Sequence, residues 1–333
     1  MQHRSARNPN DKVGEEIVSE ISNPYATGGG GPDFENQVQT LFAVLMLSRG
    51  VAPCHLPWPI SRIALQARWA EFNTDDFIVY IAERPGGREA KLLAQVKHTI
   101  SITKGDPELP KVIKAAWEDY RNPKIYVPGQ DSILLITGPL SAHDIENVRR
   151  LLEWARTSHS APEFLTKAYK TRYSSDLKIE KLTALRYHLT NANSGIELSD
   201  EEFWNFLKTF YLIGFDLDEQ HGLTRSLFLS YIAQFEVADV IGAWGMISRE
   251  VAEFNKNGGT FSIDSASQGV KELFSRRVSP LITMPKRLGE MTPDKLTAEH
   301  DRALTFATLL GGWDTMLPGD KEAIKKLLGS NDK

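Results

Sequence analysis

A single cysteine, Cys54, stands among 333 residues, so no disulfide can close within the chain. That usage fits a reducing compartment. No apolar run approaches the roughly 20 residues needed to span a bilayer, and the opening "MQHRSARNPNDKVGEE" has no apolar stretch of the kind a secretory leader carries. The expectation is a soluble, cytoplasmic protein without a membrane partner. No Cys/His cluster supports zinc, and no Ser/His/Asp arrangement can be argued from residue order alone. The glycine run Gly28 to Gly31 is not followed by the Lys-Ser/Thr pair of a nucleotide P-loop. Excess positive charge is absent too. The net charge is −4, which marks no global nucleic-acid binder yet allows a local basic patch on an acidic body.

What is present is enough apolar material, 41% of residues, for two domains with real cores. Residues 1–27 are polar and read as a flexible arm. After the glycines, Phe34, Val38, Leu41, Phe42, Leu45 and Met46 recur at helical spacing, and Arg49-Gly50 ends that helix. "IALQARWAEF", "DDFIVYIAER" and "AKLLAQVKHTISI" read as three strands, the last two joined by the turn "RPGGRE". An amphipathic helix at about 107–121 and a buried strand in "DSILLITGPLS" come next. Beyond about 142 nearly every segment reads as helix, and the aromatics Phe203, Trp204, Phe206, Phe210, Tyr211 and Phe215 read as the core of those helices. The division is placed near 172, giving an αβββαβ domain over 28–172 and an all-helical domain over 173–333. The charged stretch from 318 onward reads as an ordinary terminus or the start of a linker.

Within the third strand, Gln95 and Lys97 are two residues apart and so share one face. An amide and an ammonium side by side on a half-buried face each cost free energy unless partnered. Asp75 and Asp76 open the neighbouring strand, and Glu35 reads as standing in the first turn of the first helix. Oxygen ligands beside a lysine are what phosphodiester hydrolysis needs. The ligands hold a hard divalent cation, and the lysine serves the attacking water and the developing charge. Strand parity favours Asp76 over Asp75, because Asp75 shares a face with Phe77, Val79 and Ile81. Plain alternatives exist for each residue: Asp75 and Asp76 as turn formers, Glu35 as a helix-start acid, and His98 as a packed side chain. Lys111, Lys114 and Arg121 share a helix face that could meet DNA phosphates or simply water.

The order αβββαβ, with an acid and then Gln-x-Lys about 20 residues later, resembles the PD-(D/E)xK nuclease superfamily. "GGGGPDFE", "TDDF" and "QVKH" together resemble one branch of it, the double-stranded DNA endonuclease effectors of bacterial antiviral defence. These are CD-NTase-associated or N-terminal to antiviral STAND NTPases, with the Mrr-like Gln in place of the second acid. The catalytic likeness covers roughly residues 28–140. "LSDEEFWNFLKTFYLIGFDLD" also resembles the segment C-terminal to the nuclease in STAND-linked members. The resemblance implies a restriction-endonuclease-like core, Mg²⁺ (or Mn²⁺) held by Glu35, Asp76 and Gln95 with Asp75 as second choice, and Lys97 completing the catalytic set. It implies double-stranded DNA as substrate. Cutting both strands usually calls for two sites brought together, and the second half is too large and apolar for a mere linker. Residues from about 173 onward are therefore expected to mediate self-association or docking to an activator or NTPase sensor module. The rival readings are a sequence-specific restriction or repair nuclease, and a non-catalytic DNA-binding scaffold on the same fold.

Overall fold

The apolar stripe that begins at Phe34 folds as α1 (Gly30–Leu47), with Phe34, Val38, Leu41, Phe42 and Met46 all but fully buried. It stops where Arg49 turns left-handed (φ 58°) and the Gly50 N–H folds back onto the Leu45 carbonyl at 2.6 Å. Three antiparallel strands come after it: β1 (Ile60–Leu65), β2 (Phe77–Ala82) and β3 (Glu89–Lys97). Helix α2 (Leu109–Arg121) crosses back, so that β4 (Ser132–Thr137) runs parallel to β3. The computed structural model describes residues 30–275 apart from 84, 85, 171, 220 and 236. The arm at 1–27 and the charged stretch from 318 lie outside the described residues.

A short α3 (Ala142–Asp144) continues through a π-helical turn into α4 (Arg150–Thr157), and then come α5 (Ala161–Tyr169), α6 (Asp176–Ala192) and α7 (Asp200–Thr209). Ser199 and Glu202 form a reciprocal capping box at the start of α7. The chain then enters β5 (Phe210–Gly214), parallel to β4, and continues through α8 (Leu223–Ala233) and α9 (Val240–Lys256). It returns as β6 (Thr260–Ser262), antiparallel to β1, and closes with α10 (Gln268–Leu273). The sheet order is β5-β4-β3-β2-β1-β6.

Both faces of this sheet are covered, as strands with parallel neighbours require. Ile78, Leu93, Ile133 and Leu135 face a core made with α2 and α4–α7. Phe77, Val79, Leu92, Ala94, Leu134 and Ile136 face a second core made with α1 and α9.

Several expectations are corrected here. The first strand stops at Leu65 because Gln66 adopts a left-handed conformation and residues 67–70 tighten into a 3₁₀ turn. The third stops at Lys97 rather than running on to 102. The half read as all-helical supplies two strands, β5 and β6. In "FYLIG", Phe210 and Leu212 enter one core while Tyr211 and Ile213 pack against the other, a period of two masked by the aromatic helix before it. Residue 172 lies inside one compact unit that takes in the described residues, 30–275. Its core runs across that point, with Phe206 of α7 meeting Trp117 (5.7 Å) and Tyr120 (5.4 Å) of α2.

Candidate functional site

The strand pairing brings the predicted side chains to one corner of the sheet. Phe77 pairs with Ala94, so Asp76, one residue earlier, comes opposite Gln95. Asp76 Oδ2 accepts from the Gln95 side-chain amide at 2.9 Å and from the Val96 N–H at 2.6 Å. Both side chains are buried. With its nitrogen turned to Asp76, Gln95 has its carbonyl oxygen left for another partner. The side chain of Lys97, half-buried at the end of β3, makes no hydrogen bond or ion pair among the described residues. Its charge nonetheless acts on both Asp76 and Glu35, favouring their ionised forms.

Glu35 reaches this corner from α1. Because the helix begins at Gly30, Glu35 stands in its second turn, and the first-turn acid is Asp33. One Glu35 oxygen, Oε1, accepts from Gln39 Nε2 (2.8 Å) and from Gln66 Nε2 (3.0 Å). Gln66 can reach it because its backbone is left-handed (φ 48°), and its N–H is tied to the Asp76 carbonyl at 3.0 Å. A strained non-glycine residue is commonly retained where a site needs it.

Asp75 is engaged elsewhere, with Arg68 Nε 3.0 Å from its carboxylate. His98 lies beside the Phe34 ring and meets Asp218 at 2.7 Å through Nε2. Lys111 and Lys114 are exposed and paired with Glu108 (2.6 Å) and Glu118 (3.8 Å) on their own helix, and Arg121 lies over the Trp117 ring. Burial lifts the Cys54 thiol to about 11, which keeps it protonated at neutral pH.

Burial and the nearby Asp76 charge raise the Glu35 carboxyl to about 7, and burial raises Asp76 above the ordinary carboxylate range. Two carboxylates in a low-dielectric corner with one lysine hold more negative charge than the protein neutralises. This donor set fits a hard cation: two carboxylates, an amide oxygen from Gln95, and the fully buried Gln39, whose Oε1 has no partner among the described residues. Mg²⁺ is commonly held by only one or two protein carboxylates together with waters and substrate phosphate. No group of three or more His, Cys, Asp or Glu side chains gathers to hold an ion among the described residues. A site here therefore depends on amide and substrate oxygens.

The raised Glu35 carboxyl has a consequence for stability. Its protonated form is favoured in the fold, so its contribution is full below the unfolded value of 4.5 and is lost as pH rises through about 7. Glu35→Gln is expected to stabilise the metal-free protein by roughly 2–3 kcal/mol at pH 8 and by little at pH 4.5. Thermal melts in EDTA at the two pH values measure it, and equal shifts at both would count against the buried-charge account.

Gln39, Gln66 and Asp119 are contributors that the sequence reading missed. Asp119 of α2 is fully buried and accepts from the Asn73 N–H and Nδ2 (both 2.9 Å) and the Thr74 N–H (2.7 Å). It thereby fixes the loop that delivers Asp76. Asp119→Ala strands those donors and is expected to cost about 2–4 kcal/mol in denaturant melts. For Gln39, its i+4 spacing from Glu35 on one helix face was the available signal. For Gln66 and Asp119 the sequence carries none, since their partners are distant and their roles depend on loop conformation.

No family model matches this chain, and no curated protein is found similar to it. Among solved structures, the Acinetobacter baumannii Cap4 SAVED/CARF-domain containing receptor with the cyclic trinucleotide 3'3'3'-cAAA superposes with a TM-score of 0.40 and 12% identity, over 84% of this chain and 58% of that one. The Moraxella osloensis Cap4 SAVED/CARF-domain containing receptor gives 0.37 and 12%, over 71% of this chain and 45% of the other. The match thus spans about half the length of those chains. Similarity at this level assigns this chain neither a ligand nor an activity. Among the described residues, no helix is long and apolar enough to cross a membrane.

Proposed function

We propose that the chain is a Mg²⁺-dependent endonuclease that hydrolyses double-stranded DNA, with Mn²⁺ as a substitute ion, and that it serves as an effector in bacterial antiviral defence. The observation that carries the nuclease reading is the convergence of Asp76, Gln95 and Glu35 around Lys97, a cation with no ion-pair partner among the described residues. The defence role rests on the motif resemblance of "GGGGPDFE", "TDDF" and "QVKH".

In this reading Glu35, Asp76 and the Gln95 carbonyl oxygen hold the cation, which when bound supplies Lewis acidity toward water and phosphate. Asp76 is aimed by the Val96 N–H and the Gln95 amide, and Glu35 by Gln39 and Gln66. Lys97 orients the attacking water and neutralises charge growing on the phosphate oxygens. Its lack of a fixed partner leaves its ammonium available for that.

The test is incubation of supercoiled and linear plasmid with the full chain in Mg²⁺ or in EDTA. Metal-dependent nicking or linearisation is expected. A chain that binds duplex DNA but never cuts it in Mg²⁺ or Mn²⁺ would instead match the scaffold reading.

A further inference from the structure

We infer that Asn255, on α9, is a positioning residue of the metal site, fixing the Gln39 amide so that its N–H face meets Glu35. The inference rests on the metal-site reading above and adds to it an element 220 residues further along the chain, the difference between positions 255 and 35.

Helix α9 joins α1 in one core through Trp244, Ile247 and Val251. Two polar contacts cross the same interface. Asn36 Nδ2 donates to Ser248 Oγ at 2.7 Å, and Gln39 Nε2 donates to Asn255 Oδ1 at 3.1 Å. Positions 248 and 255 are two helical turns apart and so lie on one face. The two contacts differ in what lies beyond them. The Gln39 nitrogen that meets Asn255 also donates to Glu35 Oε1 at 2.8 Å, whereas Ser248 touches nothing that reaches a carboxylate of the site.

A buried amide has two ends of nearly equal size, and which end faces a neighbour is set by that neighbour's hydrogen bonding. Here Glu35 Oε1 (2.8 Å), Asn255 Oδ1 (3.1 Å) and, more weakly, the Asp76 carbonyl (3.4 Å) are all acceptors, so together they hold the Gln39 nitrogen toward the site. The Asn255 side-chain amide also hydrogen-bonds the Glu35 carboxylate itself. With the Asn255 side chain truncated, one Gln39 N–H inside this fully buried site is left with only the longer 3.4 Å contact to the Asp76 carbonyl, and Glu35 loses the Asn255 amide. The Gln39 amide keeps its nitrogen toward Glu35 but is held by fewer contacts, so the Glu35 carboxylate that it orients is fixed less firmly. Such partners behind a metal ligand typically change metal affinity by about 10–100-fold.

The experiment is calorimetric titration of the full chain with Mn²⁺, comparing wild type, Asn255→Ala, Asn255→Leu and Ser248→Ala, with a thermal melt of each. The expected result is Mn²⁺ affinity weakened at least about 10-fold in both Asn255 variants. Ser248→Ala should stay near wild type, and cleavage by the Asn255 variants should largely recover at saturating Mn²⁺. Wild-type affinity in a folded Asn255 variant overturns the inference. Equal weakening in Ser248→Ala overturns it too, because helix packing would then explain both. A wild-type chain that binds no Mn²⁺ removes the metal-site reading itself, and this inference with it.

Discussion

Lys97→Ala is expected to lower duplex cleavage by at least about 10²-fold while lowering the melting temperature only modestly. A positioned proton-transfer or charge-stabilising group contributes on that scale. The Lys97 side chain makes no hydrogen bond or ion pair among the described residues, so the stability lost is limited to the favourable pull of its charge on Asp76 and Glu35. Asp76 behaves differently. Its carboxylate accepts the buried Val96 N–H at 2.6 Å as well as the Gln95 amide. Asp76→Ala should therefore lose activity and also about 1–3 kcal/mol of stability. Asp76→Asn keeps an acceptor oxygen and should lose activity with most of the stability retained. Plasmid nicking in Mg²⁺, paired with thermal melts of all three variants, separates these outcomes. Wild-type cutting by Lys97→Ala would remove the lysine from the mechanism and leave the carboxylates to be explained otherwise.

The candidate corner was legible because it lies on strands whose period of two is short-range. Gln95 and Lys97 declare a shared face from their spacing alone, and Asp76 is placed by one hairpin. Strand parity pointed to the carboxylate that meets Gln95, although its premise was incomplete. Both faces of β2 are core, Phe77 and Val79 on one side and Ile78 on the other, so burial alone did not separate Asp75 from Asp76. The structure separates them by partners, Arg68 for Asp75 and the Val96 N–H for Asp76. The illegible parts were those fixed by distant pairing. β6 has three residues, too few for any period to show. β5 comes directly after α7, whose aromatic spacing extends a helical pattern through Phe210 and Tyr211. Glu35 is held by Gln66 across 31 residues, a contact that depends on one left-handed residue and has no sequence signature.

These distant pairings change what cutting the chain at 172 is expected to do. The sequence alone suggests that residues 1–172 fold as a monomeric nuclease, weak only because a self-association half is missing. In the structure that half completes the same fold. Removing it takes β5 from beside β4 and β6 from beside β1, leaving two bare sheet edges. It also takes Leu182, Leu185, Leu189, Phe203, Phe206, Leu207 and Phe210 out of the core shared with α2, and Trp244, Ile247 and Val251 from against α1. Each such side chain contributes roughly 1.5–3 kcal/mol when fully buried, so six of them alone match the whole net stability of a typical domain, about 5–15 kcal/mol. The 1–172 fragment is therefore expected to be aggregated or without a cooperative transition, and inactive at any concentration. A chain ending at 276 keeps every described strand and helix and is the control. Circular dichroism melts and size-exclusion chromatography of the two fragments decide it. A soluble 1–172 monomer that melts cooperatively would show that the αβββαβ part stands alone. The second half would then be free to act as the assembly module the sequence suggested.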